Sequence, residues 1–168
     1  MAELRHLILV LGDQLDLDAG AFDGFDAAQD AVWMAEVVEE STHVWSSKPR
    51  TVMFLAAMRH FAQALRATGR PLHYTRLDDA ANLGTLSAQL QADIVRLRPA
   101  GVVMTAPGDW RVLQAVRRVV QAHQLPLDIR DDRHFYCSAR EFAAHARGRK
   151  TLRMEYFYRE QRQRYGVL

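Results

Sequence analysis

His6-Leu7-Ile8-Leu9-Val10-Leu11-Gly12-Asp13-Gln14-Leu15 sets a nearly unbroken Leu/Ile/Val run against a glycine, an acid and an amide. A strand with one wet face alternates apolar and polar residues; a run without alternation belongs to a strand buried on both faces, as at the centre of a parallel sheet. Working outward, a second apolar run at Ala31–Met34 follows a long acidic connection rich in Gly and Asp. Phe54, Met58, Phe61 and Leu65 recur at helical spacing until Gly69-Arg70-Pro71 stops them, and Leu72–Leu77 reads as a third strand. Leu86, Leu90, Ile94 and Leu97 stripe a second helix, Gly101–Thr105 is another buried strand, Val112, Leu113, Val116 and Val120 stripe a third helix, and Leu127–Arg130 is a weaker fifth strand. Strands alternating with helices imply right-handed crossovers, hence an α/β fold: a Rossmann-like, doubly wound, five-stranded parallel sheet with helices on both faces. Thr151–Gly166 reads as one more helix, with Leu152, Met154, Tyr156, Phe157 and Tyr158 crowded into its first turns.

At 168 residues, 49% hydrophobic and 25% charged, the chain has the make-up of a folded globular protein, which excludes wholesale disorder and collagen-like repeats. No apolar run approaches the roughly 18 to 20 residues that span a bilayer, so no membrane partner is expected. Glu3, Arg5 and His6 break any signal-peptide pattern. Cys137 is the one cysteine, too few for a disulfide framework, a four-cysteine zinc site or an iron-sulfur cluster, and a reducing cytoplasm is the expected location. From Arg147 onward, seven basic residues face only Glu155 and Glu160, a net +5, so residues 1–146 carry −3 of the total +2. A tail opposite in sign to its domain suits either a different partner or a solvated helix.

An open α/β sheet binds ligands beyond the carboxyl ends of its strands, where strand order reverses. Three connectors are placed there: Gly12-Asp13-Gln14 after the first strand, Glu36 to Lys48 after the second, and Pro107-Gly108-Asp109-Trp110 after the fourth. Gly12 and Gly108 permit close backbone approach, Asp13, Gln14, Glu36 and Glu40 offer directional polar groups, and Trp110 suits a ring wall. The same residues admit plainer roles: Asp13 and Asp109 as helix caps, Trp110 in the core, the glutamates on a wet face. No phosphate loop, G-x-G-x-x-G or H-E-x-x-H occurs, the seven histidines are scattered, and Ser41, Ser46 and Ser47 lack a G-x-S-x-G setting. Acceptor-rich loops with few cations favour a neutral hydrogen-bonding heterocycle over a polyphosphate.

Leu9-Val10-Leu11-Gly12-Asp13-Gln14-Leu15, Met34-Ala35-Glu36-Val37 with Glu40, and Phe54-Leu55-Ala56-Ala57-Met58-Arg59-His60-Phe61-Ala62 resemble the N-terminal domain of the deoxyribodipyrimidine photolyase-related proteins, the iron-sulfur bacterial cryptochromes and prokaryotic (6-4) photolyases. Tyr74 to Asp79, Pro107 to Arg111 and Arg149 to Arg159 agree in the same order. The resemblance implies a Rossmann-like antenna domain holding 6,7-dimethyl-8-ribityllumazine, which passes light energy to FAD. It places FAD, a four-cysteine 4Fe-4S cluster and the DNA lesion site in a later helical domain. By resemblance the antenna contacts are Gly12, Asp13, Gln14, Glu36 and Glu40, then Pro107, Gly108 and Trp110; no residue here is expected to be catalytic. His43 with Ser46-Ser47 departs from the family's aromatic and paired histidines, and Ala106 stands where an acid is common, so the ligand is expected to meet this loop differently.

On this reading residues 1–148 form the antenna-chromophore domain. Residues 149–168 form a basic, aromatic-rich helix leading into the FAD and iron-sulfur domain, and the natural chain is expected to continue past Leu168. Lys150, Arg153, Tyr156, Tyr158 and Arg159 are candidates for docking that domain or DNA. Two other functions fit the residues: a freestanding nucleotide or flavin receptor using the same cleft, and a small nucleic-acid-binding protein acting through its tail.

Overall fold

The computed structural model describes residues 4–167 and divides the chain into two compact units, one ending at Arg130 and one beginning at Asp131. In the first unit, β1 (His6–Leu9), β2 (Asp30–Ala35), β3 (Leu72–Thr75), β4 (Gly101–Thr105) and β5 (Leu127–Arg130) form one parallel sheet in the order β3-β2-β1-β4-β5. Leu7 sits opposite Ala31 and Val102, and Leu9 opposite Trp33 and Met104. Between the strands run α1 (Val38–Thr42), α2 (Lys48–Ala67), α3 (Leu86–Leu97) and α4 (Trp110–Ala122). Strand order reverses between β1 and β4, as a doubly wound sheet requires.

The period-two geometry of a strand divides the core. Leu7, Leu9, Trp33, Val102 and Met104 point to the face covered by α3 and α4, where Leu90, Ile94, Val112, Val116 and Val120 meet them. Ile8, Val10, Val32, Met34 and Val103 point to the other face, against Met58, Phe61, Ala62 and Leu65 of α2. Helices therefore lie on both faces. Full burial of one such side chain contributes about 1.5–3 kcal/mol, so each helix is held by its stripe more than by its own hydrogen bonds. The β1–β2 connection is part of the core, because Ala21 and Phe22 of a 3-10 turn at Gly20–Phe22 are buried beside α2. Arg130 holds that turn by donating from Nη1 to the Gly20 carbonyl at 2.9 Å.

Two strands end before their apolar runs do. β1 stops at Leu9, although Val10 and Leu11 stay buried. β3 stops at Thr75 rather than Leu77, because the Leu77 N–H turns aside to donate to the Glu36 carboxylate at 2.8 Å.

The second unit holds α5 (Ala139–Ala146) and α6 (Met154–Tyr165). Ser138 caps α5 in a reciprocal box with Glu141: the Glu141 N–H donates to Ser138 Oγ at 3.2 Å, and the Ser138 N–H to Glu141 Oε2 at 2.8 Å. Phe142 meets Phe157 edge to face at 5.1 Å, and His145 Nδ1 lies 2.6 Å from Glu160 Oε2. The compact units divide at Arg130/Asp131, whereas the expected boundary between antenna domain and tail lay at 148/149. The shift to basic composition at Arg147 falls inside a helix pair whose contacts join both sides of it. The last helix also begins at Met154, not Thr151.

Candidate functional site

A cavity of about 290 Å³ opens at the carboxyl ends of β1, β2 and β4, beside the reversal of strand order. β1 and its loop contribute Val10, Leu11, Gly12 and Asp13; β2 and α1 contribute Ala35, Glu36, Glu40 and Ser41. α2 supplies Arg50, Thr51, Phe54, Leu55 and Met58, and the β4 side supplies Pro107, Asp109 and Val112. Five of the residues expected at the site therefore come together: Gly12, Asp13, Glu36, Glu40 and Pro107.

The other three do not line the cavity. Gln14 donates from Nε2 to the Ala106 carbonyl at 2.8 Å and so ties the β1 loop to the β4 loop, while its Oε1 is buried with no partner among the described residues. Gly108 has open space around it. Trp110, in the first turn of α4, is 68% exposed with the Arg117 guanidinium 5.9 Å from its ring centroid, outside both the core and the cavity lining. Asp109 caps α4, accepting the Arg111 N–H at 2.7 Å, and also faces the cavity.

Glu36 is buried, and its carboxylate already serves the protein. Oε1 accepts from Arg59 Nε at 2.8 Å and from the Tyr74 hydroxyl; Oε2 accepts from Arg59 Nη2 and from the Leu77 N–H, both at 2.8 Å. Burial pushes this carboxyl up, but the donors and the charge of Arg59 outweigh burial and hold it below its ordinary value. Burial, with the carboxylate beside it, pushes the Tyr74 hydroxyl well up, so it stays a donor. Glu36 is thus a buried anchor joining β2, α2 and β3, with little acceptor capacity left for a ligand.

Gly12 has its own structural reason. A Cβ there would lie 2.6 Å from Phe54 Cε1 and 2.9 Å from Met58 Sδ, so packing against α2 alone requires a residue this small. Glu40 accepts from Arg111 Nη2 at 3.0 and 3.2 Å. Asp13, Ser41, Ser46 and Arg50 line the cavity with side chains that make no hydrogen bond or ion pair among the described residues. Arg50, Arg59 and Arg111 were not among the expected site residues, although Arg59 and Arg111 lie within stretches that carry the family resemblance.

In the second unit, Lys150 and Arg153 are exposed and without an acidic partner among the described residues, whereas Arg159 is paired with Glu155 at 2.6 Å. Tyr156 and Tyr158 are 48% and 61% exposed. Two residues apart on a helix, they face different directions and do not make one stacking platform. Among the described residues, no group of His, Cys, Asp and Glu is placed to hold a metal ion, and no helix is long and apolar enough to cross a membrane.

A family model described as deoxyribodipyrimidine photo-lyase-related protein matches residues 8–168. A curated protein of Agrobacterium fabrum (strain C58), a (6-4) photolyase, is 42% identical over 165 residues, covering 98% of this chain and 32% of its own length. The chain thus spans about a third of that relative.

Proposed function

This chain belongs to the deoxyribodipyrimidine photo-lyase-related protein family, and on that premise we propose that its first unit is a light-harvesting domain whose cleft binds 6,7-dimethyl-8-ribityllumazine. The observation that carries the reading is the cavity at the strand-order reversal. Its volume of about 290 Å³ stands near the lower bound of the roughly 300–1,000 Å³ of small-molecule pockets, room for one bicyclic ring. Its lining suits such a ring. Phe54, Leu55, Met58 and Val112 offer apolar contact for the ring faces, and Asp13, Ser41, Ser46 and Arg50 offer unengaged polar groups for ring edge and hydroxyls.

When bound, the chromophore supplies absorption of near-ultraviolet or blue light and transfer of that energy to a flavin. The chain's residues bind the ring, fix its orientation and exclude water; no bond is made or broken in this cleft. We assign the whole protein to light-driven DNA repair, with FAD, iron-sulfur cluster and lesion site in sequence outside these residues. The relative's name supports the repair assignment; FAD, the cluster and the lesion site rest on the family resemblance, and this chain spans a third of that relative. Lys150, Arg153, Tyr156, Tyr158 and Arg159 then serve to dock that further domain or DNA.

Fluorescence titration of the purified chain with the lumazine, with FMN, FAD and ATP as competitors, tests this. The expected result is saturable binding near micromolar, about 8 kcal/mol, undisturbed by nucleotides. Displacement by FMN or ATP at lower concentration than the lumazine itself needs would replace this reading with the receptor one.

A further inference from the structure

Arg111 joins two elements at the mouth of the cleft that no strand or turn joins. From the first turn of α4, its Nη2 donates to both carboxylate oxygens of Glu40 in α1 and lies 3.3 Å from Asp109 Oδ2, while Nη1 lies 3.9 Å from Glu39 Oε1. Glu40 and Asp109 line the cavity and Arg111 does not, so the guanidinium stands behind the rim and holds the groups that form it.

α1 needs such a hold. It has five residues, no buried residue and no side-chain cap. Its other ties are the Glu39 N–H to the Gly84 carbonyl at 3.1 Å and the Leu86 N–H to Glu39 Oε2 at 3.2 Å. A helix this short has no stability of its own, and elements with few buried contacts open at low free-energy cost. The ion pair is half exposed, with side-chain exposures of 30% and 40%, so it adds little to global stability and weakens with salt.

We propose that Arg111 is a positioning residue for the cleft's ligand: it straps α1 to α4, fixes Glu40 at the rim, and sets how fast ligand enters and leaves. This rests on the cleft being the chromophore site. The whole chain is compared as wild type, Arg111→Ala, Arg111→Lys and Glu40→Gln, with two readouts. One is the lumazine dissociation rate at low and high NaCl; the other is hydrogen exchange of the amides of residues 38–42 without ligand. Wild-type dissociation is expected to rise several-fold with salt. Arg111→Ala and Glu40→Gln should dissociate several-fold faster at low salt, with little further response to it. Arg111→Lys, a point charge in place of a fork, should fall between. The α1 amides should exchange faster in Arg111→Ala.

Wild-type dissociation rates in Arg111→Ala, a salt response kept in full, or unchanged α1 exchange would each overturn the strap. So would a lower melting temperature with unaltered salt dependence, the mark of a merely structural residue. If one variant fails to fold, the other breaks the same pair. Absence of lumazine binding by the wild type contradicts the chromophore reading and this inference with it, whereas binding with unaltered variant kinetics removes the strap alone.

Discussion

Arg59 lies 23 residues from Glu36 and supplies two of the donors that make burial of its carboxylate tolerable. The Arg59 side chain is about a third exposed and Glu36 keeps the Tyr74 hydroxyl and the Leu77 N–H as donors, so Arg59→Ala is expected to cost about 1–3 kcal/mol of unfolding free energy in urea titrations. Glu36 is a stronger acid folded than unfolded, so its contribution is present above its ordinary value of 4.5 and is lost as pH falls through its lower folded value. The stability gap between wild type and Glu36→Gln should therefore narrow below pH 4.5; a constant gap would show that charge is not what Glu36 contributes. At the ligand, Asp13→Ala is expected to weaken lumazine binding about tenfold, or 1.4 kcal/mol, and Gln14→Ala less, since the Gln14 amide faces the Ala106 carbonyl. Equal effects would put Gln14 back in contact with the ring. An acid at a strand end is visible in sequence; the arginine that will claim it is not, because the pairing depends on which face of α2 meets the end of β2.

Among elements, the most legible were those with the clearest apolar pattern. β1 and β4 lie buried between two helical layers, and α4 carries its valines at unbroken helical spacing. Short pieces without a repeating apolar stripe were passed over: α1, the 3-10 turn at Gly20–Phe22, and α5, although Ser138-x-x-Glu141 is a capping signature open to view. The junction between β1 and α2 decides the size of the cleft. Gly12→Ala would drive a methyl into Phe54 and Met58, both of which line the cavity. The expected outcome is a loss of about 1–3 kcal/mol of stability together with weaker lumazine binding. A variant of wild-type stability and affinity would mean that α2 yields without cost.

For the whole molecule, the place of the cavity was legible once the strand order was expected to reverse, since the rule about switch points needs only topology. The three loops meet at the cavity, whose lining includes Arg50, unseen in the sequence, and leaves out Gln14, Gly108 and Trp110. All cavity-lining residues fall between Val10 and Val112, within the unit that ends at Arg130. A chain truncated after Arg130 is therefore expected to unfold in one transition and to keep the lumazine affinity of the full chain; loss of affinity would give the second unit a share in the site. The most direct test of the account is an amide NMR map of the chain titrated with 6,7-dimethyl-8-ribityllumazine. The account predicts saturable shifts concentrated at residues 10–13, 35–41, 46–58 and 107–112. Shifts centred on residues 131–167, or none that saturate, would contradict it.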